Sequence, residues 1–148
     1  RALLIGDAAH AIVPFFGQGM NASFQDCTVL NKLINTEKYD WGRIFSRFSK
    51  EHVKNGHAIA DMAIENYEEM RDSVNKIKFK AQRKLEFALE KQFPNKFIPR
   101  YSMVSFSEKP YSEVYNKGEK QYKLLNKLLE IDPSGRSIDK NIVNKFIK

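Results

Sequence analysis

Residues 4–27 read Leu-Ile-Gly-Asp-Ala-Ala-His-Ala-Ile-Val-Pro-Phe-Phe-Gly-Gln-Gly-Met-Asn-Ala-Ser-Phe-Gln-Asp-Cys. The apolar run Arg1-Ala-Leu-Leu-Ile5 stops at Gly6, which predicts a short, fully buried strand. Such a strand delivers Gly6 and Asp7 to its carboxyl end, where ligands sit in open α/β sheets. Gly6 lets a ligand approach the backbone closely. The Asp7 carboxylate is an acceptor for hydroxyl groups, as on a sugar or sugar alcohol. Gly6, Pro14, Gly17 and Gly19 break residues 6–19 into a loop with only short helical pieces. Gly17-Gln18-Gly19-Met20-Asn21 then opens a helix. Its unbonded N–H groups and positive dipole end favour negative charge. The whole reads as a nucleotide-type cofactor site, holding a hydroxylated chain at Asp7 and an electron-rich group at the helix start. The plainer alternative is a loop whose glycines make turns and whose Asp7 caps a helix.

Working outward, the pattern turns helical from about Met20. Phe24, Cys27, Val29, Leu30, Leu33 and Ile34 recur at three- and four-residue spacing, up to Asn35 and Thr36. Asp40 can cap a helix with Trp41, Ile44, Phe45 and Phe48 on one face. Asn55-Gly56 should interrupt it, and a further helix follows from about His57 to Asp72. Another begins at Asn75 and must stop before Pro94. Residues 97–106 read as an extended or irregular apolar crossing. Residues 111–130 form a long helix, Asp132-Pro133-Ser134-Gly135 a turn, and Ile138 to Ile147 a short amphipathic helix. The expected fold is mainly α with one short N-terminal β-strand.

The chain has 148 residues, of which 42% are hydrophobic. That is enough for one ordinary domain with a core and argues against a disordered tail. No apolar run approaches the roughly 20 residues of a spanning helix, so membrane association is not expected. No signal peptide is visible. The single cysteine, Cys27, allows no internal disulfide and fits a reducing compartment. The net charge of +7 is uneven. Residues 1–75 hold 8 basic and 10 acidic side chains, a net −2, whereas residues 76–148 hold 17 and 8, a net +9. A basic half could meet nucleic acid, an anionic membrane or an acidic partner. No nucleic-acid motif supports that, and a solvated lysine-rich helix face is the expectation. His52 and His57 have no metal-ligand partners at suitable spacing, and no nucleophilic catalytic set can be assembled. Cys27 is expected on the apolar helix face, buried and inert. Asp26 is expected at the surface or as a cap, and Glu65, Glu68 and Glu69 as a solvated face.

Taken as an ordered string, Gly6-Asp7-Ala8-Ala9-His10, then Pro14, then the Gly-rich helix start resembles the second flavin fingerprint of the FAD-dependent aromatic hydroxylases. The longer string Val13-Pro-Phe-Phe-Gly-Gln-Gly-Met-Asn21 is close to that of the family's kynurenine-hydroxylating branch. Residues 60–71, ending Asn66-Tyr67-Glu68-Glu69-Met70-Arg71, are similar to a helix of that branch. Residues 97–106, Phe-Ile-Pro-Arg-Tyr-Ser-Met-Val-Ser-Phe, are similar to its Pro-x-Tyr-x-Met-Val-x-Phe segment. The likeness covers most of residues 1–106 and weakens beyond them.

The resemblance implies roles. Asp7 would bond the ribityl hydroxyls of FAD, and Gly6 would pass close to the cofactor. Amides near Gly19, Met20 and Asn21 would face the N1–C2 carbonyl edge of the flavin ring. A helix N-terminus stabilises negative charge there by about 0.3–2 kcal/mol. Pro14 and Gly17 complete the implied cofactor set. Phe15 and Gln18 would line the reacting side with Pro14, Phe15 as an apolar wall for an aromatic substrate that also excludes water. Asn66, Met70 and Tyr101 would close the substrate pocket, Asn66 and Tyr101 offering polar atoms to an amino-acid carboxylate or amine. Asn66 and Met70 are four residues apart and can face one ligand. The plainer alternatives are a buried asparagine bonded to backbone, a core tyrosine and ordinary methionine filler. His10 is expected to order the loop. No residue is assigned as catalytic, because the cofactor carries the chemistry, and none as a metal ligand.

The implied activity is NADPH-dependent hydroxylation of L-kynurenine to 3-hydroxykynurenine with O2 and FAD, in tryptophan degradation. The implied fold is the C-terminal part of an α/β, Rossmann-like FAD-binding fold. Residues 1–36 would be the last piece of the FAD-binding domain, and 37–148 a helical region over the substrate pocket. The chain opens mid-strand at Arg1 and lacks Gly-x-Gly-x-x-Gly for the ADP part of FAD. It is therefore expected to be a fragment that needs a missing N-terminal part, and to be inactive alone. A cytoplasmic location and no nucleic-acid partner are expected. The alternatives are a related hydroxylase with another aromatic substrate, or a non-catalytic basic helical binding module.

Overall fold

A computed structural model describes residues 2–72 and 76–146. The chain divides into two compact units, Arg1–Tyr67 and Glu68–Lys148. Its helices are α1 (Asp7–His10), α2 (Gly19–Thr36), α3 (Trp41–Asp72), α4 (Ile77–Gln92), α5 (Arg100–Phe106), α6 (Tyr111–Ile131) and α7 (Lys140–Phe146), with a 3-10 turn at Pro14–Phe16.

The described residues contain no strand, so the expected strand at 1–5 does not form over residues 2–5. A strand is defined by its ladder, and no second strand is there to pair with it. The apolar content is used all the same. Leu3 and Ile5 pack against a cluster of Leu33, Ile44 and Phe48, while Leu4 between them is 66% exposed.

In the first unit α2 buries Ala22, Asp26 and Leu33. Phe24, expected on the apolar face, is exposed, and so is Cys27, expected buried. The helix is turned so that a carboxylate rather than a thiol faces inward. Asp40 does start α3, accepting a hydrogen bond from the Arg43 amide at 3.1 Å, two ordered atoms at an otherwise open helix end. The helix does not break at Asn55-Gly56 as the sequence suggested. A mid-helix glycine costs only about 1 kcal/mol. The buried stripe Ile44, Phe48, His52, Ile59, Met62 and Ala63 outweighs that.

The second unit is built on α4, α6 and α7. Ala81, Leu85 and Leu89 lie one turn apart on α4 and meet Leu124, Leu125, Leu128 and Leu129 of α6, with Phe97 and Val143. The 97–106 segment is not extended throughout: Pro99 stands just before α5, a position proline tolerates because the first helical amides have no partner anyway. Gly118 of α6 admits the Arg100 side chain, since a β-carbon there would come within 2.6 Å of Arg100 Cδ. The expected helix start at Asn75 and end at Ile147 lie outside the described residues.

The turn after α6 is closed by one carboxylate. Asp132 accepts from the Ser134 amide (2.9 Å) and hydroxyl (2.6 Å), and from the amides of Arg136 (3.0 Å) and Ser137 (2.7 Å). The Ser134 hydroxyl first, then these amides, hold its carboxyl down to about 2. Gly135 completes the turn at φ 65°, with the Ala81 carbonyl oxygen 2.7 Å from where a β-carbon would stand. A carboxyl lowered on folding stabilises the fold above its unfolded value, roughly 3.9, and loses that contribution as pH falls toward 2. Asp132→Ala should therefore unfold at lower urea than the parent chain above about pH 4. The gap should close between about pH 4 and pH 2; a gap that persists at pH 2 would show that the carboxylate is not its source.

Candidate functional site

Gly6 sits at φ 60°, ψ −149° immediately before α1, a region open to glycine almost alone. Asp7, the first residue of α1, is exposed. Its Oδ1 lies 3.3 Å from the Ser23 hydroxyl of α2. That hydroxyl also lies 3.0 Å from the Gly19 carbonyl. With one proton it serves one acceptor at a time. Ser23 thus ties the Asp7 carboxylate to the first turn of α2.

No side chain caps α2. Its first backbone bond runs from the Ala22 amide to the Gln18 carbonyl at 2.8 Å, so the amides of Gly19, Met20 and Asn21 have no carbonyl one turn back to meet. The dipole of an 18-residue helix stands behind them. A β-carbon at Gly17 or Gly19 would find nothing within 4 Å, so the helix start faces open space. Gly17 adopts φ 65°. A carboxylate, an open helix start and two bare glycines thus lie together on one short stretch.

Around them the turn is held from within. Pro14 begins the 3-10 turn, and Phe16 beside it is buried. Gln18 is buried, and its Oε1 accepts from Asn21 Nδ2 at 3.1 Å. Phe15 is 37% exposed and its ring meets that of Tyr67 at 4.5 Å. The Phe15 carbonyl accepts from Asn66 Nδ2 at 2.7 Å. Asn66, expected to meet a substrate, has its amide nitrogen on backbone, and Tyr67 is the ring partner of Phe15. Met20 is 69% exposed at the helix start. Met70 and Tyr101 belong to the second unit, where both are exposed.

The residues the sequence reading missed are Asp26 and His52. Asp26 is not at the surface: it is fully buried. Its Oδ2 accepts from the Gly6 amide at 2.7 Å and faces His10 Nε2 at 2.7 Å. His52 of α3 brings Nε2 against the other oxygen, Oδ1. The signal was in the spacing. Asp26 falls four residues after Ala22 and seven before Leu33, and His52 four after Phe48, so both lie on buried stripes. His10, expected to order the loop, reaches Asp26 from the end of α1. Among the described residues no group of side chains is arranged to hold a metal ion. None of the helices is long and apolar enough to cross a membrane.

Residues 1–43, which include this stretch, match the FAD binding domain family. Over 139 residues the chain is 45% identical to the kynurenine 3-monooxygenase of Myxococcus xanthus, covering 94% of this chain and 30% of that protein. It is 46% identical over 129 residues to the kynurenine 3-monooxygenase of Anopheles gambiae (87% and 26%). It is 42% identical over 127 residues to that of Caenorhabditis elegans (86% and 28%). The chain is thus similar to the FAD binding domain family over residues 1–43 and to these kynurenine 3-monooxygenases over most of its length. It spans less than a third of the length of these curated relatives.

The residues present suit a flavin. An exposed carboxylate can accept from a polyol, open glycines leave room for a flat ring, and unbonded amides suit its electron-rich edge. The bond from Asn66 to Phe15 stabilises the turn beside them by about 0.5–1.5 kcal/mol. Asn66→Asp, which removes the donor, should speed exchange of the Gly17 amide, bonded to the Pro14 carbonyl at 3.1 Å, by several-fold. Unchanged exchange would show that the turn does not depend on Asn66.

Proposed function

We propose that this chain forms the C-terminal part of an FAD-dependent, NADPH-using monooxygenase that hydroxylates L-kynurenine to 3-hydroxykynurenine. The observation that carries the proposal is the place of Asp7, a polyol-type acceptor 3.3 Å from the Ser23 hydroxyl, beside the uncapped start of α2. In this reading residues 1–36 belong to a Rossmann-like FAD-binding domain and 37–148 to a helical region over the substrate. Bound FAD supplies reduction by NADPH and activation of O2. The chain's own residues bind and orient. Asp7 holds the polyol. The amides at Gly19, Met20 and Asn21 stabilise negative charge on the ring. Gly6, Pro14 and Gly17 shape the backbone around it. Phe15 offers an apolar wall and keeps water out. Gln18, Asn66, Met70 and Tyr101 are the remaining proposed substrate contacts. A cytoplasmic enzyme of the kynurenine pathway fits these roles.

The test is FAD titration of a longer protein that contains this chain. Asp7→Ala should weaken FAD binding at least tenfold. Gly19→Ala should do the same without loss of fold, since its β-carbon meets no protein atom but fills the space before the amides. Unchanged affinity in both variants would overturn the reading. Substituting Asn66 or Tyr101 should weaken kynurenine binding; no effect would favour another aromatic substrate. The 148-residue chain by itself should bind no stoichiometric FAD. A colourless parent protein that binds RNA or anionic vesicles in a salt-dependent way would instead favour a basic binding module.

A further inference from the structure

We infer that Asp26, backed by His10 and His52, is a positioning residue that sets the Gly6–Asp7 turn for its ligand. The inference rests on the flavin reading of Asp7, which Asp26 does not itself touch. The helix that carries Asp7 is four residues long and buries none of them. Its backbone supplies two bonds, from the Ala9 and His10 amides to the Gly6 carbonyl at 2.8 and 3.0 Å. So short a helix has no stability of its own, and no apolar face holds it down. Both of its ends are instead pinned to one atom. The Gly6 amide before the helix and the His10 ring at its end each lie 2.7 Å from Asp26 Oδ2.

That atom is itself fixed. Asp26 lies within α2, its carboxylate fully buried. His52 of α3 stands against the other oxygen, Oδ1, without hydrogen-bond geometry. The His52 ring is held in turn by Phe48, their centroids 5.0 Å apart. The His10 ring rests against α3 at Gly56, with Cβ and Cγ 3.7 Å from where a β-carbon would stand. Three helices thus meet at one carboxylate, and the turn carrying Asp7 takes its orientation from them. Because Gly6 stands at φ 60°, ψ −149°, a small shift of its amide would swing the Asp7 side chain away from Ser23 and the helix start. Both histidines approach the carboxylate through Nε2.

Amide exchange on the chain and FAD affinity of a flavin-binding protein that contains it test this together. Asp26→Ala should speed exchange of the Gly6 and Ala9 amides at least tenfold, leaving Leu33, Ile44 and Ile59 within twofold of the parent. His10→Ala, a milder change, should speed Ala9 exchange with the same core unaffected. His52→Gln, which keeps an N–H donor at similar reach, should stay closer to the parent than His52→Leu. In the flavin-binding protein, Asp26→Ala and His10→Ala should each raise the FAD dissociation constant at least tenfold. Exchange that rises equally throughout the unit, or α1 exchange unchanged in both alanine variants, would overturn the inference by making Asp26 a general support or no support. If Asp26→Ala fails to fold, His10→Ala against His10→Gln decides by the same readouts. A parent protein that binds no FAD while the exchange pattern holds would overturn the flavin reading itself, and with it the purpose assigned to the clamp.

Discussion

A carboxylate removed from water must be surrounded by donors, and in the first unit that demand organises everything near the candidate site. Asp26 is fully buried, and the groups against it come from three separate stretches: the Gly6 amide, His10 at the end of α1, and His52 midway along α3. Leaving such a group unpaired costs several kcal/mol, so these segments are not free to drift. The apolar cluster of Leu33, Ile44 and Phe48 gives the unit its cohesion. Cohesion is non-directional, however, and hydrogen bonds to a fixed carboxylate have direction. The loop that would face a ligand is placed by the directional term.

The same division of labour recurs across residues 6–23. Backbone regions that only glycine takes easily, at Gly6 and Gly17, bring the chain around. Short polar links, Asn21 to Gln18 and Ser23 to Asp7 or Gly19, hold it. What remains unbonded is the start of α2, which is what an electron-rich ligand requires. In the second unit, by contrast, the leucines of α4 and α6 and Val143 of α7 make an apolar core, and the polar clasp at Asp132 serves the turn alone.

The parts legible in the sequence were those with a local cause. The helix start at Gly19, the cap at Asp40, the turn at Asp132 and the long apolar repeat of residues 111–131 each follow from residues within a few positions. The errors fell where distant residues decide. Residues 2–5 have strand composition and no strand to pair with. Asn55-Gly56 reads as a break, yet the buried stripe of α3 on either side carries the helix through. Residues 97–106 read as an extended or irregular crossing, yet Arg100–Phe106 is a helix with Pro99 just before it. Asp26, expected at the surface or as a cap, is buried, and its two histidine partners lie 16 and 26 positions away along the chain. Its place on the Ala22–Leu33 stripe was the visible clue. The ordered string from Gly6 to Asn21 carried the resemblance to flavin hydroxylases, where no single dipeptide within it would have done so.

The most direct test of the account is a crystal structure of the flavin-loaded protein that contains this chain. The account predicts the Asp7 carboxylate within about 3.2 Å of a hydroxyl on the flavin's polyol chain, with the amides at Gly19, Met20 and Asn21 turned toward the ring. A flavin seated elsewhere, with Asp7 still paired only to Ser23, would contradict it.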